Sequence, residues 1–166
     1  MIYLGADHGG FGLKEKIKTW LKDWGYEFTD KGALKLDPED DYPDFAFAVA
    51  DEVSSHSDPA KPWEEQDKGI LLCRSAAGMI IAANKVPGIR AAAAYDVKGA
   101  VQPRTNDDVN ILGLSGDWLD DQTAKAIIKA FLETEYSHGE RHQRRLDKIT
   151  EAEIDGGCCG GECGNC

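Results

Sequence analysis

Gly69-Ile-Leu-Leu-Cys-Arg-Ser-Ala-Ala-Gly-Met-Ile-Ile-Ala-Ala-Asn-Lys85 is the stretch on which the fold turns. Its apolar opening, Gly69 to Leu72, reads as a buried strand. Cys73 is then delivered into a turn of small residues, Ser75 to Gly78. From Met79 the apolar run continues as a buried helix. Strand, tight turn and helix together aim backbone N–H groups at one point, where they can stabilise an oxyanion. Such a turn also favours a thiolate at its start. A thiolate beside an anion hole is a kit for moving a proton between carbons. A buried structural cysteine ending a core strand is the other reading of this segment.

Working outward, the same alternation recurs. Ile2 to Gly5 is a short strand, followed by the turn Ala6-Asp-His-Gly-Gly10. Leu13, Ile17, Trp20, Leu21 and Trp24 share one helix face, with Lys14, Lys16, Lys18 and Lys22 mostly off it. Gly25 stops that helix, and Tyr26 to Thr29 forms a second strand. Residues 33–43 form an acidic loop, after which Asp44 caps a helix carrying Phe45, Phe47, Ala48, Ala50 and Val53. Residues 54–68 are a polar surface excursion that Trp63 can anchor.

Beyond the central stretch, Ile89 to Ala94 is a fourth strand, small and apolar as one covered on both faces should be. Asp96 to Asn106 is a short helix interrupted near Pro103, and Asn110 to Leu114 a fifth strand. Asp120 starts a helix with Ala124, Ile127, Ile128, Phe131 and Leu132 inward. Glu140 to Glu153 is a charged helix with few apolar contacts, suited to crossing onto a partner subunit. Residues 1–154 make one domain, and 155–166 a Gly- and Cys-rich tail. Alternating strands and helices argue for a parallel sheet covered on both faces. Ligands of such sheets sit at the carboxyl ends of the strands, which groups Asp7, His8, Cys73, Ser75 and the segment after Ala94 on one rim.

The net charge of −11 gives no basic field for nucleic acid or an anionic membrane surface. No apolar run approaches the roughly 20 residues a membrane span needs, and a cytoplasmic location is expected. Arg141 and Arg145, four apart in a basic run, share a helix face and suit a phosphate dianion; a solvated face pairing with Glu140 and Asp147 is the bland alternative. Asp7-His8 can bind sugar hydroxyls or shuttle a proton, or be a plain exposed turn. The Gly-rich turns lack the spacing of nucleotide loops. Cys158, Cys159, Cys163 and Cys166 in the tail can wrap a soft metal or form a reducible disordered segment; no metal site is expected in the core.

Several of these segments, in this order, resemble the ribose-5-phosphate isomerase B family, which includes the galactose-6-phosphate isomerase subunits. They are Gly5-Ala-Asp-His-Gly-Gly10, Asp30-Lys-Gly32, Asp41-Tyr-Pro43, Gly69 to Cys73, Ile81-Ala-Ala-Asn-Lys85, Gly88-Ile-Arg90, Asn106-Asp107 and Arg141-His-Gln-Arg-Arg145. The resemblance covers about residues 1–153. It implies a Rossmann-like three-layer α/β/α sandwich with a five-stranded parallel sheet, working as a homodimer or homotetramer with its site between subunits. It implies an aldose–ketose isomerase of small sugar phosphates that needs no cofactor. Cys73 would move the proton between C1 and C2. Ser75 and the turn through Arg74, Ala76, Ala77, Gly78 and Met79 would hold the enediolate. Asp7, His8, Tyr42 and Asn106 would contact the sugar, and Arg141 and Arg145 the phosphate.

The chain departs from that pattern at three places. Thr105 stands where the family's ring-opening histidine is usual, and Asp117 where a phosphate-binding arginine is usual. Arg74 and Ala76 occupy turn positions where glycine is common. Arg74 or Arg104 can replace the lost cation. Thr105 cannot protonate a ring oxygen, so either another residue opens the ring, His8 being the nearest candidate in type, or the substrate needs no opening, as a tetrose 4-phosphate does not. A non-catalytic sugar-phosphate sensor, or a redox or metal protein using the tail, is the competing class.

Overall fold

The computed structural model describes residues 1–156 except Ser57 and Pro59, so the tail cysteines lie outside the described residues. Five parallel strands form one sheet: β1 (Ile2–Ala6), β2 (Phe28–Asp30), β3 (Lys68–Cys73), β4 (Ala91–Ala93) and β5 (Ile111–Ser115). Their spatial order is β2-β1-β3-β5-β4. Register pairs Ala6 with Leu72 and Cys73 with Ser115, so the carboxyl ends of the three central strands are level. The strand order reverses between β1 and β3, the switch point where open α/β sheets bind ligands.

Side-chain alternation along the strands divides the core in two. Ile2, Leu4, Ala6, Ile70, Leu72, Leu112 and Leu114 pack with α1 (Phe11–Asp23), α4 (Val97–Asp107) and α5 (Asp121–Glu133). Tyr3, Leu71, Cys73 and Ile111 face the other way, onto α2 (Tyr42–Ser55) and α3 (Ala77–Ala83). The result is a three-layer α/β/α sandwich. α6 (Glu140–Gly156) follows α5 and rests on the body mainly through Leu146, with Glu153 accepting the Gly88 N–H at 3.0 Å. It extends past the domain end expected at 154.

Several expectations are corrected. The helix after the acidic loop starts earlier, with Asp41 at its N-cap and Pro43 in its first turn. It buries Ala46 and Val49 and leaves Phe47 exposed. α4 runs unbroken through Pro103, with Ala100 and Arg104 buried on either side and its start capped by Asp96, whose carboxylate accepts from Gly99 N–H. β4 is shorter than expected and is an edge strand, half-buried rather than fully covered. Lys14 is fully buried, because Asp30 and the Ala33 carbonyl each meet its ammonium at 2.6 Å. Burial opposes the Asp30 charge, but Lys14, Lys18 and the Gly32 N–H hold its carboxyl below the usual range. Trp63 does anchor the excursion: it is buried, donates to the Phe131 carbonyl and meets that ring edge-on at 5.4 Å.

Candidate active site

Three loops at the carboxyl rim touch one another so closely that two glycines are required. A Cβ on Gly10 would lie 2.5 Å from the Leu72 backbone, and one on Gly116 2.3 Å from the Gly9 carbonyl oxygen. The β1–α1 loop is therefore wedged between the loops after β3 and β5. The Gly116 N–H donates to the Cys73 carbonyl at 2.8 Å, and Ser115 Oγ donates to the Arg74 carbonyl at 2.5 Å. These bonds fix the start of the turn that follows Cys73.

Cys73 ends β3 as a buried free thiol. Ala76, just beyond, takes a left-handed conformation (φ 68°) that costs a side-chain-bearing residue about 1–2 kcal/mol. That bend turns the chain directly into α3, whose first hydrogen bond runs from Ile80 N–H to the Ala76 carbonyl. The N–H groups of Ala77, Gly78 and Met79 precede it and have no acceptor within the helix. The Tyr42 ring lies over this turn, at the place a Gly78 side chain would fill. Tyr95 donates to the Ser75 carbonyl at 2.9 Å and stacks at a tilt on Trp118.

Asp7 follows β1. Its carboxylate accepts from Gly9 and Gly10 N–H at 2.8 and 3.0 Å. Burial raises its proton affinity and these two bonds oppose the rise. His8 Nδ1 donates to Asp40 at 2.6 Å. The Asp40 bond raises the imidazole's proton affinity, partial burial opposes it, and the charges of Asp7 and Asp40 add to the rise against Arg74. Asp40 was not foreseen: nothing marks one carboxylate among the five of residues 37–44 until the loop folds over the rim.

The structure thus gathers Asp7, His8, Tyr42, Cys73, Arg74, Ser75 and the turn to Met79. It does not bring Asn106, Arg141 or Arg145 to them. α4 descends from the carboxyl edge of β4 toward the amino edge of β5, so Asn106 sits about 14 Å of helix away from that rim. The Ser137 N–H holds the Thr105 carbonyl there, and α6 starts beside it, with Arg141 and Arg145 exposed. Arg104 is no substitute cation. It is buried under Trp63, its guanidinium 3.8 Å from the ring centroid, and bonded to Asp108 and the Val109 and Thr134 carbonyls. Arg74 is on the rim, 3.4 Å from Asp117. Among the described residues no helix is long and apolar enough to cross a membrane, and no group of three metal-ligating side chains occurs.

Fold and rim define a class of protein, an α/β domain with its polar groups at a parallel sheet's switch point. The particular family follows from comparison: residues 2–149 match the Ribose/Galactose Isomerase family, and the chain belongs to it. It is 42% identical over 152 residues to ribose-5-phosphate isomerase B of Mycobacterium tuberculosis, covering 92% of this chain and 89% of that one. It is 41% identical to a probable ribose-5-phosphate isomerase B of Mycoplasma genitalium, covering 92% and 95%. The crystal structure of the Mycoplasma genitalium enzyme with bound ribulose-5-phosphate superposes with a TM-score of 0.84 at 39% identity, covering 93% of this chain and 96% of that one. The type B ribose 5-phosphate isomerase of Trypanosoma brucei superposes at 0.81 with 40% identity, covering 91% and 97%.

Proposed function

We propose that this chain interconverts an aldose phosphate and its ketose isomer, of the ribose 5-phosphate and ribulose 5-phosphate type, with Cys73 as the base. The observation that carries the reading is Cys73 at the switch-point rim, entering a turn whose N–H groups are left unpaired by helix geometry. The Cys73 thiolate takes the proton from C2 of the open-chain aldose, leaving an enediolate. Ser75 and the N–H groups through Met79 hold its oxygen; the O2 hydroxyl proton passes to O1 and the thiol returns its proton to C1, giving the ketose. Asp7, His8 and Tyr42 contact the sugar.

Asn106, Arg141 and Arg145 complete the site from a second copy of the chain. Their place on the opposite sheet edge and the exposure of both arginines support a homo-oligomer. The test is a panel of aldose and ketose phosphates in deuterated water. An isomerase washes deuterium into C1 or C2; a sensor binds without exchange.

Thr105 favours a second reading, in which a tetrose 4-phosphate is the preferred substrate. Its hydroxyl is too weak an acid to open a ring, and a four-carbon aldose phosphorylated on its terminal oxygen cannot close a five-membered one. Comparing kcat/KM for the two sugars separates the readings.

A further inference from the structure

We infer that Asp40 and His8 form the proton-delivering pair of this site, with Asp40 positioning the imidazole and His8 Nε2–H protonating the ring oxygen of a cyclic aldose phosphate. The inference rests on the isomerase reading above. Opening the ring of a five-carbon aldose phosphate needs an acid near neutral pH, which an imidazole can supply and the Thr105 hydroxyl cannot. Among the described residues His8 is the imidazole on the Cys73 rim. His56 lies by Tyr3 and Glu52, and His138 and His142 flank the start of α6.

The geometry is specific. Asp40 Oδ1 accepts from both the His8 backbone N–H, at 3.2 Å, and Nδ1, at 2.6 Å. These two bonds fix the ring's orientation and leave Nε2 without a protein acceptor among the described residues. The Asp40 side chain is 7% exposed while that of His8 is 29% exposed, so the carboxylate is covered and the imidazole reaches solvent. The second Asp40 oxygen is buried without a partner. Among the described residues the Asp40 carboxylate is therefore met by His8 alone, through its backbone N–H and its imidazole, and the imidazole is the one cationic partner it can have; this favours the imidazolium, as a buried carboxylate does for a catalytic histidine. The other charged groups facing His8 are Asp7 on its own loop, which adds to this, and Arg74 on the loop after β3, which opposes it and is itself paired with Asp117.

The step balances. As the C1–O bond of the ring breaks, Nε2–H passes its proton to the ring oxygen, which becomes a hydroxyl. The anomeric hydroxyl gives its proton to water and becomes the aldehyde oxygen. The neutral imidazole, still held by Asp40, regains a proton from solvent.

The experiment compares the intact protein with Asp40→Asn on ribose 5-phosphate and on erythrose 4-phosphate, across pH, with His8 titrated by NMR in both proteins. An acid is active below its pKa, so activity on the pentose falls as pH rises through that of His8. Without the carboxylate that pKa moves down. The expected result is a lower His8 titration midpoint and an alkaline limb shifted to lower pH. Loss on the pentose should also be at least about tenfold greater than on the tetrose. Equal loss on both sugars would overturn the pair as ring-opening acid and make Asp40 a structural or phosphate-end residue. An unchanged pentose profile would assign the acid elsewhere, His138 of a second copy being the next imidazole. Turnover of neither sugar by the unmodified protein would overturn the isomerase reading itself, and the inference with it.

Discussion

The Arg74 guanidinium lies 3.4 Å from the Asp117 carboxylate, across the loops that follow β3 and β5. Both side chains are largely exposed, at 67% and 44%. An exposed pair of this kind is worth about 0–1 kcal/mol, so an incoming phosphate can part it.

Asp117→Asn should free Arg74 and lower KM for a sugar phosphate by about threefold to fivefold, the equivalent of up to 1 kcal/mol. Arg74→Ala should raise KM by a comparable factor or more. Steady-state kinetics on both variants checks this. If KM is unmoved in both, Arg74 does not meet the phosphate.

Lys68 carries a prediction about stability. It is 4% exposed, its ammonium donates to the Trp63 carbonyl, and it lies 4.1 Å from that ring's centroid. Burial first, then Arg104, pushes its pKa down to about 8. The unfolded chain therefore binds more protons between pH 8 and about 10.4, so stability rises with pH across that window. Below pH 8 the penalty is fully present. Lys68→Met should be neutral to about 3 kcal/mol stabilising at pH 7, and should flatten the pH dependence between 8 and 10. Urea titrations at pH 7 and pH 10 measure both effects; a variant several kcal/mol less stable at pH 7 would show that the indole and carbonyl contacts outweigh desolvation.

Subunit mixing tests the shared site. Cys73→Ala and Arg141→Ala proteins, each inactive alone, should regain part of the activity when combined, because some pairs then hold one intact site. No recovery after confirmed exchange of subunits would leave each site within one chain.

Thr105→His tests how much ring-opening acid the unmodified protein lacks. With His8 already serving, the gain on ribose 5-phosphate should stay below about tenfold and the tetrose should not respond. A much larger gain on the pentose would restore the four-carbon reading.

Much of this fold could be read from spacing. The strand–turn–helix from Gly69, the α1 face of Leu13, Ile17, Trp20 and Leu21, and Asp120 as a helix cap all follow from local rules, and the structure has each of them. What could not be read depends on contacts distant in sequence. Lys14 looks like a solvent residue until Asp30 arrives beside it, and Arg104 looks like a free cation until Trp63 covers it. Asp40 becomes more than one acid among several when its loop closes over His8. The separation of Arg141 and Arg145 from Cys73 follows from topology, since helices of a parallel sheet return the chain to the opposite edge.

The central claim is that Cys73 moves the proton. The direct measurement is the rate at which solvent deuterium enters C1 or C2 of a bound sugar phosphate, in the unmodified protein and in Cys73→Ala, with ligand affinity measured on both. The account predicts exchange lower by about 10²–10⁴-fold in the variant, the usual worth of a general base, with the fold intact and the sugar phosphate still bound. Exchange within about tenfold of the unmodified protein, in a folded Cys73→Ala variant, would contradict it and give the proton to another group on the rim.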